Sequence, residues 1–234
     1  MKLGVTLPSF RHDASALDAG RAAEEAGVDG VFVFDHLWPM GRPDRPALAA
    51  FVLLGALAAS TRRVALGTLV ARVGLVDDGI LVGQFASLDL IAPGRVIAGL
   101  GSGDAKSAAE NEAYGYARRS AEDRRSSLKW CAQRLAGMGI PVWIGAGDGS
   151  GPSVGLARHL GVAVNLWSVH PVALGSHAAS GEVTWGGTVP ADPEAAEQLV
   201  AGLSAGGASW MVATWPDELG ELRRLVSLVR AAGC

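Results

Sequence analysis

Cysteine is nearly absent from this chain, with Cys131 and Cys234 the two in 234 residues. Such a pair is a poor basis for a disulfide framework and fits a reducing compartment. A bilayer-spanning segment is not evident either: the uncharged stretch Pro46 to Thr61 is 16 residues long, short of the roughly 20 that a span needs. It reads as a buried helix, and no membrane association is expected. The formal net charge is only −3, and Lys and Arg are scattered, so there is no basic footprint for nucleic acid. Neither a signal peptide nor a transit peptide fits the opening Met1-Lys2-Leu3-Gly4-Val5-Thr6-Leu7-Pro8, which is already strand-like and is soon followed by Asp13 and Asp18. The expected location is the cytoplasm.

Two catalytic classes lack their parts. His12, His36, His159, His170 and His177 show no metal-ligand spacing, and Asp77-Asp78 stand as an isolated loop-like pair. Gly151-Pro152-Ser153-Val154-Gly155 matches a nucleophile elbow, whose triad order is Ser, acid, His. No Asp or Glu lies between Ser153 and the last histidine, His177. The match is therefore read as accidental.

What is present is an ordered, apolar chain, 49% hydrophobic and 18% charged, comfortable for one domain over residues 1–234. Eight β-like runs recur: 3–7, 31–34, 64–70, 96–100, 142–144, 162–166, 183–185 and 210–213. Helical spacing separates most of them, over 14–26, 47–59, 80–91, 120–138, 154–160, 193–205 and 218–232. Alternation of this kind implies a parallel sheet, and eight strands favour a compact (β/α)8 TIM barrel over an open doubly wound sheet. The segment from Trp167 to Gly181 is poor in pattern and is expected to be a rim loop. No linker, low-complexity stretch or further repeat is visible.

In a parallel barrel, chemistry gathers where strands end at their C-termini. The run Val31-Phe32-Val33-Phe34 ends abruptly on Asp35-His36, and His36 is the side-chain type that titrates nearest neutral pH. Asp35 as a turn cap and His36 as a surface histidine is an equally open reading of that stretch alone. The third strand ends near Leu69-Val70-Ala71-Arg72. The fourth ends in Gly101-Ser102-Gly103-Asp104, where Asp104 could cap a helical stretch from Ala105 to Ala113 with or without a ligand nearby. The fifth ends in a glycine loop, Gly145 to Gly151, leading to Pro152 at a helix start, a reasonable anion site. Trp38, Trp167 and Trp215 lie just past strand ends, where a ring ligand could stack.

Taken in order, Asp35-His36-Leu37-Trp38-Pro39, Leu66-Gly67-Thr68-Leu69-Val70, Gln84 to Asp89, Pro93 to Asp104 and Pro141 to Ala146 resemble the luciferase-like monooxygenase family. Asp35-His36 and the Gly-Ser-Gly-acid ending look most like its deazaflavin-dependent branch, which uses coenzyme F420. The resemblance implies an oxidoreductase that moves a hydride between F420 and a small organic substrate. An FMN-dependent monooxygenase and a barrel that has lost catalysis are the alternatives. It implies that His36 donates or orients a proton beside the deazaflavin, that Asp35 contacts the cofactor and that Asp104 handles a proton. It further implies a non-proline cis peptide at Leu69-Val70, contacts near the ring and ribityl chain from Ser102, Gly103 and Ser107, and a phosphate end at Gly147, Gly151, Ser153 and Val154. Arg72, Gly145 and Ala146, at the same strand ends, complete the candidate cofactor contacts. A homodimer through outer helices, including 47–59, is also implied. Similar proteins carry longer insertions closing over the substrate, whereas this chain passes from Leu135 to Pro141 almost without pause. Val76-Asp77-Asp78-Gly79 stands where a basic residue and a proline are usual, and Met40 where a tryptophan often follows.

Overall fold

The computed structural model describes residues 1–10, 15–39, 42–103, 107–117 and 119–232. Its strands are β1 (Lys2–Thr6), β2 (Gly30–Val33), β3 (Ala65–Thr68), β4 (Ala71–Arg72), β5 (Val96–Gly101), β6 (Val142–Gly145), β7 (Ala163–Trp167), β8 (Val183–Gly187) and β9 (Ala208–Thr214). The helices are α1 (Ala16–Ala26), α2 (Ala50–Ser60), α3 (Asp78–Ile91), α4 (Ala108–Ala113), α5 (Ala121–Gly137), α6 (Pro152–Leu160), α7 (Pro171–Ala178), α8 (Pro193–Ala205) and α9 (Leu219–Ala231). All strand pairings are parallel, in the order β3-β2-β1-β9-β8-β7-β6-β5-β4, and β3 pairs with β5 to close the ring. The result is the expected (β/α)8 barrel, with β3 and β4 together forming one of its eight staves. The Leu69-Val70 peptide between those two strands is cis.

Alternation along each strand sorts two cores. Leu3, Val5, Val31, Val33, Leu66, Ala98, Leu100, Ile144, Val164, Leu166 and Met211 face outward, into the layer shared with the helices. Inside the ring a second cluster forms from Phe32, Leu69, Ile97, Trp143, Ala163, Trp210 and Val212. Phe32 stacks on Trp143 at 5.0 Å between ring centroids and meets Trp210 edge-on at 6.0 Å. Bulky plugs need empty neighbours. A Cβ on Gly4 or Gly67 would lie 2.6 or 2.7 Å from the Phe32 ring, so glycine at both positions makes the space that the ring fills.

Helix starts follow local chemistry. Ser15, Ser120 and Asp192 each accept an amide of the first turn, and Gly27 and Gly161 end α1 and α6 in the left-handed region. The segment expected to be a rim loop contains α7, a correction with a clear cause. Pro171 opens the helix, the His170 Nδ1 accepts the Val172 amide, and Leu174 is its one fully buried side chain. One anchor in eight residues leaves almost no periodicity to read. Among the described residues, no helix is long and apolar enough to cross a membrane.

Candidate active site at the barrel mouth

β2 leaves the core at Val33, and the next residues turn across the C-terminal end of the ring. Arg72 stitches the end of the β3–β4 stave to them: its amide donates to Asp35 Oδ2 at 3.1 Å, and its Nε donates to the Asp35 carbonyl at 2.9 Å. The guanidinium is therefore buried, and its remaining donors turn to α4. Nη1 donates to Asn111 Oδ1 at 3.2 Å and Nη2 to Glu110 Oε1 at 2.9 Å. The Leu37 amide also donates to Glu110 Oε1, and Glu110 Oε2 lies 2.9 Å from His36 Nδ1. Glu110 is only 2% exposed. Two carboxylates, a guanidinium and an imidazole thus share one corner of the mouth, each satisfied by another, as a buried charge requires. Burial pushes the Asp35 carboxyl above its ordinary range, opposed by the Arg72 amide and the Arg72 charge.

An aromatic row continues from this corner. Phe10 meets His36 edge-on at 5.7 Å and stacks on Phe34 at 5.3 Å, and Phe34 meets Trp167 at 6.1 Å. Trp38 packs against Tyr114 instead, and Trp215 joins the outer core. Val70, placed by the cis peptide, lies over the ends of β5 and β6, where a Cβ on Gly101 or Gly145 would approach its side chain to 2.4 or 3.0 Å. Beyond it, glycines alternate with Ala146, Asp148 and Ser150, and the His177 ring lies against Gly149. Added Cβ atoms at Gly103, Gly147 and Gly151 would meet nothing within 4 Å. Gly151 precedes α6 without any side-chain cap, so the first amides of that helix have no side chain serving them. Free amides at a helix start favour an anion.

The expected residues are thus distributed around one rim. Asp35 and His36 follow β2, Val70 and Arg72 lie in the β3–β4 stave, Ser102 and Gly103 follow β5, and Gly145, Ala146, Gly147, Gly151 and Ser153 lie at and beyond the end of β6. Leu69 belongs to the inner cluster, and Val154 is buried in the outer core, its amide donating to the Gly151 carbonyl at 3.4 Å. Ser107 is buried at the start of α4, and that helix begins at Ala108 rather than at 105. Asp104, expected to handle a proton, lies outside the described residues, as do His12, Met40 and Cys234. Glu110 and Asn111 were not singled out by sequence reasoning. In the run Ala108-Ala109-Glu110-Asn111-Glu112, Glu110 is buried and Glu112 exposed, a difference that no local pattern carries.

A family model described as luciferase-like monooxygenase matches residues 1–129. The chain belongs to the luciferase-like monooxygenase family. Relatives with matching sequence include an F420-dependent glucose-6-phosphate dehydrogenase from Beutenbergia cavernae, 51% identical over 83 residues, covering 35% of this chain and 25% of that protein. Another, of the same name, from Kineococcus radiotolerans, is 44% identical over 107 residues, covering 45% of this chain and 32% of that protein. The matches thus span about a quarter to a third of those relatives' length. Among solved structures, an F420-dependent secondary alcohol dehydrogenase in complex with an F420-acetone adduct aligns with a TM-score of 0.79 over 98% of this chain and 99% of that one, at 14% identity. That likeness shows the family's barrel fold.

Proposed function

We propose that this chain acts as one barrel domain, an F420-dependent oxidoreductase moving a hydride between the deazaflavin and a small organic substrate. The observation that carries the reading is the presence, at one mouth, of His36 held on a buried carboxylate and a glycine loop ending at the uncapped α6. The F420-dependent relatives support the same cofactor. The residues fit such a group: Gly147, Gly151 and Ser153, with Val154 behind them in the first turn of α6, would hold a phosphate. Val70, Ser102 and Gly103 would border the ring, and Asp35 would add a contact. Bound F420 supplies the hydride chemistry, while the protein supplies position, polarity and a proton. His36 is the described residue placed to hold or move that proton, and Asp104 is the second candidate from sequence.

Fluorescence titration of the purified protein with F420, and separately with FMN, tests this. Micromolar binding of F420 with weaker binding of FMN is expected, and failure to bind either sinks the enzyme reading. FMN as the tighter ligand would move the chain to the monooxygenase branch. His36→Ala should lose turnover far more than F420 affinity.

The reading extends to a cytoplasmic homodimer. Support comes from α2 and α3, which leave Val52, Ile80 and Ile91 exposed beside a shallow apolar groove lined by Phe51, Gly55, Gly83 and Leu88. The buried free thiol of Cys131 fits a reducing compartment. Sedimentation of the protein should show a dimer, and Val52→Glu should yield a folded monomer.

A further inference from the structure

The bonding of Glu110 settles more than the position of His36. Its Oε1 already accepts two donors, the Leu37 amide and Arg72 Nη2. Arg72 is buried, is always protonated, and needs an anion beside it. Glu110 is the anion of that buried pair, with Arg72 Nη2 at 2.9 Å, so Oε2 has only lone pairs to offer. The 2.9 Å contact with His36 Nδ1 is a hydrogen bond only if Nδ1 carries the hydrogen. Among the described residues no partner engages Nε2.

We propose that Glu110, backed by Arg72, is the positioning residue that fixes His36 as its Nδ1–H tautomer and so presents Nε2 as a proton acceptor at the mouth. The proposal rests on the oxidoreductase reading for its purpose, because a hydride leaving a carbon that bears a hydroxyl requires something to take the hydroxyl proton. In that transfer the substrate carbon is oxidised: its C–H pair leaves as hydride to the oxidised deazaflavin, the O–H bond breaks, its electron pair becomes the second C–O bond of the carbonyl, and the proton forms the Nε2–H bond. The imidazolium that results already faces Glu110. In the reverse direction the same nitrogen returns the proton. A carboxylate that holds a histidine's far nitrogen in this way acts on the reaction without touching the substrate. Glu110 reaches this place because Arg72 pins α4 through both Glu110 and Asn111, which joins the helix to the end of β2 across 74 residues of sequence.

The test begins with the protein free of any cofactor. Nitrogen-15 spectra of ring-labelled protein, with His36 assigned by its loss in His36→Ala, should show the neutral ring protonated at Nδ1 and bare at Nε2. A neutral His36 with its proton on Nε2 in the wild-type protein overturns the proposal directly. In Glu110→Gln the side-chain amide can donate to Nδ1, and the tautomer should invert. Turnover should then fall by about 10²- to 10⁴-fold while F420 affinity stays within about threefold, the pattern of a wrongly held histidine. Glu110→Asp should restore the Nδ1–H signature and part of the turnover. If Glu110→Gln leaves both the tautomer and the turnover unchanged, Glu110 is a structural ion-pair partner and the proposal fails. Failure of the oxidoreductase reading is a separate result: neither F420 nor FMN binds, yet the Nδ1–H signature is present.

Discussion

At the floor of the barrel, polar side chains bind backbone. The Glu24 carboxylate accepts the amides of Arg62, Arg63 and Val64, Arg95 donates to the carbonyls of Thr61 and Val64, and Asp29 receives the Leu3 amide and Arg230. At the mouth, Glu110, Arg72, Asp35 and His36 are bound largely to one another, and the glycine loop after β6 carries only Ala146, Asp148 and Ser150 between its glycines, with Asp148 and Ser150 bonded to each other. Floor groups complete the turns that start each strand, so they act on stability. Mouth groups gather charge at the C-terminal ends of the strands, the end of a parallel barrel where chemistry gathers.

The comparison breaks most visibly at Arg72. Arg72→Leu strands the buried Glu110 carboxylate and removes the charge beside Asp35, and should cost about 3–5 kcal/mol in urea unfolding, whereas Arg72→Leu combined with Glu110→Leu should recover a substantial part of that loss. Equal losses in both variants would mean that the cluster carries no mutual dependence. Ser153→Asp sharpens the other arc. A carboxylate in the first turn of α6 should stabilise the fold by about 0.5 kcal/mol through the helix dipole. It should also weaken F420 binding tenfold or more by repulsion from the phosphate; unchanged affinity would place the phosphate elsewhere.

On the floor, Glu24→Gln should cost about 1 kcal/mol near neutral pH, a figure already reduced for screening at this half-exposed site. Burial would raise the Glu24 carboxyl, but the amides of Arg63, Val64 and Arg62 together outweigh it and hold the group below its ordinary 4.5. With the folded value depressed, this stabilisation is complete above 4.5 and is lost as pH falls through the folded value. Thermal melts of wild type and Glu24→Gln should therefore converge in acid and separate above pH 5. Arg230→Ala, which removes a surface pair with Asp29 at 2.8 Å, should change stability by about 0.5 kcal/mol or less. None of the floor variants should alter cofactor affinity.

Much of the barrel was legible because its period is local. Apolar runs such as Val31-Phe32-Val33 and glycine stops such as Ala26-Gly27 mark strands and helix ends within a few residues, and their alternation carries the parallel topology. The cis peptide at Leu69-Val70, expected from the family resemblance, is present. The α7 segment was missed because a single buried Leu174 makes no pattern. The division of the third stave into β3 and β4 likewise has no signal in an unbroken run from Val64 to Val70.

The site divides along the same line. Asp35-His36 and the loop from Gly145 to Gly151 declare themselves by position, since ionisable or glycine residues ending an apolar run must surface at the strand's exit. Glu110 does not, because its neighbour Glu112 is chemically identical and lies on the exposed side of the same short helix. The chain's sequence alone determined a closed α/β barrel, its family, and the rim on which chemistry sits, because hydrophobic period and motif order are properties of neighbours along the chain. Only tertiary structure decided which acid meets His36, and that Arg72 turns inward to pair with that acid, because a buried charge is defined by partners far away in sequence.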